Sequence, residues 1–227
     1  LGSRERSELL RVVHARCETR DTATSRRAVL VFDLDGTLMD NRPRVVAILH
    51  ELAVHWRDEH PEIAARMTGA QVEDIEYGLI DNMQRLGVED AGLHASGLKF
   101  WHERFFVDGY LHHDVALAGA VDFVRGCYEA GANICYLTGR DLPKMAVGTF
   151  ASLRDLGFPI GVVGTELVTK PDFDTPDDRF KASVAGELER LGEVVAVFDN
   201  EPSNCNALLA AYPNSTSVLV DTLHAPN

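Results

Sequence analysis

Ala28-Val29-Leu30-Val31-Phe32-Asp33-Leu34-Asp35-Gly36-Thr37-Leu38 is the stretch that decides how this chain folds. Its first five residues are apolar, mostly large or β-branched, with no polar alternation. That pattern fits a strand buried on both faces, as in the interior of a parallel sheet. The Asp-Gly pair that follows supplies a turn. Two carboxylates one residue apart on an extended segment point the same way, so the chain leaves the sheet carrying a pair of aligned acids.

Similar apolar runs recur downstream at Asn133 to Leu137, Ile160 to Val163, Val194 to Phe198 and Ser217 to Val220, each separated from the next by helix-compatible sequence. Leu117, Ala120, Val121, Val124, Cys127 and Tyr128 repeat near the helical period, with Gly131 as a stop. Thr175-Pro176 before Asp177-Asp178 predicts a helix start, with Gly192 near the end. Strand alternating with helix predicts an α/β fold, a Rossmann-like parallel sheet core with helices on both faces.

One connection is too long. Asp35 and Thr138 lie about 100 positions apart, whereas a crossover between parallel strands needs a few tens, so about seventy residues are surplus. Asn41 to His112 is patterned as helix, with Val45, Ile48, Leu49, Leu52 and Trp56 and then Val72, Ile75, Leu79 and Met83 on repeating faces. The predicted organisation is therefore an N-terminal helical segment and linker over 1–27, a core built from 28–40 and 113–227, and a helical insertion over 41–112. In the first segment Leu9, Leu10, Val12, Val13 and Cys17 share one side of a helix, and 18–27 are polar.

Composition removes several function classes. At 227 residues, 45% hydrophobic and 25% charged, the chain is an ordinary globular protein with one large core and one accessory element. Its longest stretch without polar side chains, Leu156 to Gly164, is far too short to span a membrane. Acidic residues outnumber basic ones, 35 to 22, and no basic run is present, which argues against nucleic acid as a partner. Cys17, Cys127, Cys135 and Cys205 form no CxxC pair, read as reduced thiols, and point to the cytoplasm. The chain opens Leu1-Gly2-Ser3 without Met, so a removed targeting segment stays open.

In open α/β sheets ligands sit beyond the carboxyl ends of the strands. Those ends are polar here: Asp33-Leu34-Asp35-Gly36-Thr37, Thr138-Gly139-Arg140 and Asp199-Asn200-Glu201. Two aligned carboxylates joined by a third from a neighbouring strand would make a hard-oxygen cage that suits Mg2+ and, through it, phosphate.

Val31-Phe32-Asp33-Leu34-Asp35-Gly36-Thr37-Leu38 resembles the first motif of the haloacid dehalogenase superfamily. Leu137-Thr138-Gly139-Arg140 is similar to its second motif, a lysine at 170 or 181 to its third, and Phe198-Asp199-Asn200-Glu201-Pro202 to its fourth. The resemblance spans about residues 28 to 221, and the insertion stands where helical caps of that superfamily stand. It implies phosphoryl transfer through an aspartyl phosphate, with Asp33 as nucleophile and Asp35 as the acid that protonates the leaving oxygen and then the base that activates water. Crowding by Asp33 and Asp199 is expected to raise the Asp35 pKa. Mg2+ would be held by the Asp33 side chain, the Asp35 backbone carbonyl and Asp199. Thr138, Gly139, Arg140 and Asn200 would meet the substrate, and the third-motif lysine, Lys181 or Lys170, would neutralise phosphoryl charge.

The implied activity is hydrolysis of a small soluble phosphate ester. A phosphomutase, a phosphonate hydrolase and a non-catalytic phosphate-binding protein are the alternatives. The family often places a second acid one, four or five positions after the fourth-motif Asp, where this chain has Asn200, Ser203 and Asn204. Metal binding would then use neutral donors such as Asn204, or Glu201. Arg140 reads equally as a substrate contact or a surface ion pair. His112-His113-Asp114 reads as solvated or capping, because adjacent side chains diverge. Lys99, beside Trp101 and His102, is the only lysine of residues 41–140, and some capped relatives use such a lysine as a Schiff base on phosphonates.

Overall fold

The computed structural model describes residues 2–18 and 26–225. In chain order it contains α1 (Ser3–Glu18), β1 (Ala28–Phe32), β2 (Met39–Asp40), α2 (Arg42–Trp56), α3 (Pro61–Thr68), α4 (Leu79–Arg85), α5 (Ala91–Phe105), β3 (Val115–Ala116), α6 (Ala120–Glu129), β4 (Asn133–Asp141), α7 (Leu142–Leu156), β5 (Thr165–Lys170), α8 (Asp177–Val184), β6 (Glu193–Asp199), α9 (Pro202–Ala211) and β7 (Thr216–Leu219). Five strands form a parallel sheet in the order β5-β4-β1-β6-β7, so the Asp33 strand is central. The fold is the α/β, Rossmann-like one that the strand pattern predicts.

Side-chain alternation along β1 explains the two helical layers. Leu30 and Phe32 join Val13 and Cys17 of α1, Val124 and Cys127 of α6 and Leu153 of α7 in one apolar cluster. Val29 and Val31 face the other way, into a second cluster with Phe180 and Leu188 from the α8 side, Leu208 of α9 and Tyr212 just after it. A strand apolar at every position is what burial on both faces requires. Phe32 stacks on Phe198 of β6 with ring centroids 4.8 Å apart, which locks the two site-bearing strands together.

The N-terminal segment docks on the core. Val13 and Cys17 are buried, and the Arg16 guanidinium donates to the Val195 carbonyl at 2.8 Å. Most of its polar linker, 19–25, lies outside the described residues. Between β2 and β3, α2 to α5 enclose an apolar cluster of their own around Leu49, Leu52, Trp56, Met67 and Met83. The sequence stripe Val45 to Trp56 is buried as read. The second stripe is not one helix: Val72–Asp74 is a 3-10 turn and helix resumes only at Leu79, after Gly78 in an extended conformation.

One strand lies elsewhere than expected. Ile160 to Val163 is a loop, and β5 runs over Thr165–Lys170 instead. Gly161 and Gly164 adopt positive φ angles of 73° and 88°, which bends the backbone out of the sheet, and Val163 is 87% exposed. The apolar run belongs to a turn, while the strand proper sits at the sheet edge and carries polar residues.

Candidate active site

Parallel register builds the first half of the site. Phe32 lies opposite Phe198, and the Asp33 N–H donates to the Phe198 carbonyl at 2.9 Å, so Asp33 and Asp199 leave adjacent strands side by side. Lys181 reaches them from the first turns of α8. Its Nζ donates to Asp33 Oδ1 at 2.6 Å and to Asp199 Oδ2 at 2.7 Å, and all three side chains are almost completely buried. Burial pushes the Asp33 carboxyl up to about 7, against the pull of Lys181 and with a further push from Asp199. Burial works against the charged Lys181, but the two carboxylates outweigh it and hold its pKa above the ordinary lysine value.

The second half of the site differs from expectation. Asp35 follows in the turn, where the Gly36 N–H donates to the Met39 carbonyl at 2.8 Å and Gly36 takes φ 75°. A side chain on Gly36 would run into Asn200. The Asp35 carboxylate accepts from Arg140 Nε at 2.8 Å and Nη2 at 2.8 Å, from Arg44 Nη2 at 2.8 Å and from Asn41 Nδ2 at 3.3 Å. Burial alone would raise its pKa. Arg140 and then Arg44 outweigh that and hold the carboxyl well below the usual range. The upward shift expected of Asp35 therefore falls on Asp33, chiefly through burial with a push from Asp199, while the two arginines hold Asp35 down.

Arg140 is no surface ion pair, although it lines the cleft. It is buried, and its guanidinium is committed to Asp35 and to Asp114 Oδ2, the latter at 2.7 Å. Asp114 is correspondingly no solvated residue, although the neighbouring His112 does cap locally on the Gly109 carbonyl at 2.8 Å. Thr138 is buried and does not line the cleft described below; its Oγ1 accepts the Arg140 N–H at 3.3 Å. Gly139 does line it, and a side chain there would collide with the Asp177 carboxylate.

Lys170 is placed away from Asp33. Its ammonium donates to the Phe173 and Thr175 carbonyls at 3.3 and 3.0 Å and pairs with Asp177 at 2.8 Å, holding the loop before α8. Lys181 is the lysine at the two carboxylates. Asn200 Nδ2 donates to the Leu223 carbonyl at 2.7 Å, and its Oδ1 accepts from Thr37 Oγ1 at 3.4 Å. Asp199 Oδ1 accepts from the Glu201 N–H at 2.9 Å and from Asn204 Nδ2 at 3.2 Å, so Asn204 orients that carboxylate. The Glu201 side chain accepts from the Ala225 N–H at 2.9 Å. Lys99 is exposed and does not line the cleft, which leaves the Schiff-base idea without structural support.

These groups open onto a cleft of about 580 Å³ between the strand ends and the helical insertion. The insertion contributes Arg44, Tyr77, Trp101, Phe105 and Phe106 to its wall. Trp101 thus belongs both to the insertion's core and to the cleft. The sequence reading missed Arg44 and Tyr77 and took Asp114 for a solvated or capping residue. Arg44 carried a usable signal: a charged residue directly before the apolar stripe of α2, where a buried cation needs a partner.

Among the described residues no group of three His, Cys, Asp or Glu side chains is arranged around one metal position. That does not disfavour Mg2+, which keeps several waters and is held by one or two carboxylates together with substrate phosphate. The Lys181 ammonium touching both Asp33 and Asp199 shows that these carboxylates converge on a cation, and the oxygen donors suit a hard divalent ion. Asp33 and Asp199 are the side chains that could hold it.

A family profile described as haloacid dehalogenase-like hydrolase matches residues 28–211. The chain belongs to the haloacid dehalogenase-like hydrolases. No curated protein matches it. Among solved structures, a hydrolase from Streptococcus pneumoniae is 14% identical with a TM-score of 0.50, covering 81% of this chain and 88% of that one. A Clostridium difficile protein provisionally named a phosphatase is 14% identical with a TM-score of 0.52 and covers 79% of each chain. A Thermotoga maritima protein provisionally named a β-phosphoglucomutase is 21% identical over 81% of each chain, with a TM-score of 0.47. At these identities the likeness of this hydrolase to the first two is one of fold.

Proposed function

We propose that this hydrolase is a phosphomonoester phosphatase that uses Mg2+ and acts on a small soluble phosphate ester through an aspartyl phosphate on Asp33. The observation that carries the reading is the buried Asp33–Lys181–Asp199 group at the carboxyl ends of two adjacent strands, with Asp33 and Lys181 lining the cleft. A bound Mg2+ would supply positive charge that offsets the phosphoryl oxygens and favours the ionised form of Asp33.

Asp33 Oδ attacks phosphorus while the bond to the ester oxygen breaks, and the phosphoryl group passes to the carboxylate. Lys181 supports the negative charge on the transferring group as a compact cation fixed by two carboxylates. The fraction of Asp35 that carries a proton gives it to the leaving oxygen, and the carboxylate left behind takes a proton from the water that cleaves the acyl phosphate. Held ionised by Arg140 and Arg44, it stands in the base form, so the first step runs best with leaving groups that need the proton least.

The insertion acts in this proposal as a cap whose aromatic wall shields the reaction from water and selects the leaving group. The chain's excess of acidic over basic residues, 35 to 22, supports a soluble small molecule over nucleic acid as the partner. No helix among the described residues is long and apolar enough to cross a membrane. A cytoplasmic setting with reduced thiols fits four cysteines that are all free. The test is release of inorganic phosphate from p-nitrophenyl phosphate with Mg2+. Activity lost in Asp33→Asn supports the reading; an inactive wild-type protein, or an isomerised sugar phosphate without phosphate release, overturns it.

A further inference from the structure

We propose that Asp114 is a positioning residue for Asp35, acting through two arginines that the carboxylates share. The proposal rests on the acid–base reading of Asp35 given above. Arg44 forks onto Asp114, with Nε to Oδ1 at 2.8 Å and Nη2 to Oδ2 at 3.0 Å. Arg140 forks onto Asp35, with Nε to Oδ2 and Nη2 to Oδ1, both at 2.8 Å. Each arginine then crosses over: Arg44 Nη2 also serves Asp35 Oδ1 at 2.8 Å, and Arg140 Nη2 also serves Asp114 Oδ2 at 2.7 Å. Two cations and two anions close a neutral ring in which neither guanidinium can turn without losing bonds to both carboxylates.

Burial separates the roles within the ring. The side chains of Arg44, Asp114 and Arg140 are 0–1% exposed, whereas that of Asp35 is 31% exposed and lines the cleft. Arg44 and Arg140 also touch the cleft wall, but Asp35 is the most exposed member of the ring and the other three back it. Without the Asp114 charge, two buried guanidiniums would face one carboxylate and would have to rearrange around it. The ring also spans both crossings between insertion and core. Arg44 lies at the start of α2, just after β2, and Asp114 directly precedes β3, the partner of β2. A shift of the insertion is therefore transmitted to the Asp35 carboxylate through Arg44.

Asp114→Asn keeps shape and one acceptor oxygen while removing the charge. A misplaced Asp35 slows two events: protonation of a poor leaving group, and activation of water at the acyl phosphate. The kcat/KM for an alkyl phosphate should fall about 100-fold, the scale of a lost general acid, while that for p-nitrophenyl phosphate changes less than about threefold. For p-nitrophenyl phosphate, kcat and KM should fall together and a burst of nitrophenol should appear, because hydrolysis of the acyl phosphate becomes limiting. A merely structural role would lower both esters alike without a burst, and that result overturns the proposal. The thermal shift given by beryllofluoride with Mg2+ should match wild type, since the described contacts of Asp33, Lys181 and Asp199 do not include Asp114. If Asp114→Asn fails to fold, Asp114→Glu carries the same test: it keeps the charge but displaces the arginines, and a uniform loss refutes the idea. A wild-type protein inactive on both esters refutes the phosphatase reading, and this inference with it.

Discussion

Asp33 is held in the fold at the expense of stability, and Asp33→Asn measures how much. Burial raises its carboxyl from 3.8 to about 7. Between those values the folded protein keeps a proton that the unfolded chain has released. The contribution of Asp33 to stability is therefore undiminished below about pH 3.8 and is lost as pH rises to about 7. Asparagine ionises in neither state, so it escapes this loss. Three pKa units at about 1.4 kcal/mol each put the advantage of Asp33→Asn at about 4 kcal/mol at pH 8, about 1 to 2 kcal/mol at pH 5 and near zero at pH 3. For a chain of this length that corresponds to roughly 10 °C in Tm at pH 8. Metal-free protein and variant should be melted by calorimetry or circular dichroism across this range. Mg2+ should then raise the wild-type Tm and leave the variant almost unmoved, closing the gap. A variant no more stable than wild type at pH 8, or a gap that does not grow with pH, would refute the assignment of Asp33 as a strained, buried acid.

Further outcomes follow from the same contacts. Lys181→Met leaves Asp33 and Asp199 buried without their cation, and should cost about 3–5 kcal/mol in urea unfolding together with nearly all phosphate release. Lys170→Ala should leave kcat within a few-fold, because that ammonium holds the 171–176 loop and does not contact Asp33; a loss matching that of Lys181→Met would show that the lysine roles are reversed. Phe32→Ala removes a fully buried ring stacked on Phe198 and should destabilise by about 3–5 kcal/mol, seen as a lower denaturant midpoint at unchanged slope. Chelation with EDTA should abolish phosphate release, with Mg2+ restoring it; turnover that persists after chelation would exclude the metal.

The parts of the fold legible in the sequence are those specified locally. β1 is apolar at every position because two layers of helices cover it, and polar residues begin where the strand ends, so strand and catalytic rim can be read from one stretch. Asp199 follows by the same rule on β6. β5 escaped that rule because an edge strand tolerates polar residues, whereas the apolar Val162 and Val163 lie in a glycine-bent turn. Which lysine meets Asp33 depends on where α8 docks, a tertiary fact that spacing does not carry. The arginine ring was hidden for the same reason. Arg44, Asp114 and Arg140 are far apart in sequence, and the depressed pKa of Asp35 arises only when the fold brings them together. From sequence alone, Asp35 is surrounded by acids; in three dimensions its nearest charged neighbours are cations.

The claim on which the rest depends is that Asp33 forms the bond to phosphorus. Acid-quenching the protein during turnover and mapping peptides by mass spectrometry tests it directly. The prediction is a phosphoryl adduct on Asp33 that appears within one turnover, decays with product formation and is missing in Asp33→Asn. Steady turnover with an unmodified Asp33, or an Asp33→Asn protein that still releases phosphate at the wild-type rate, would contradict it.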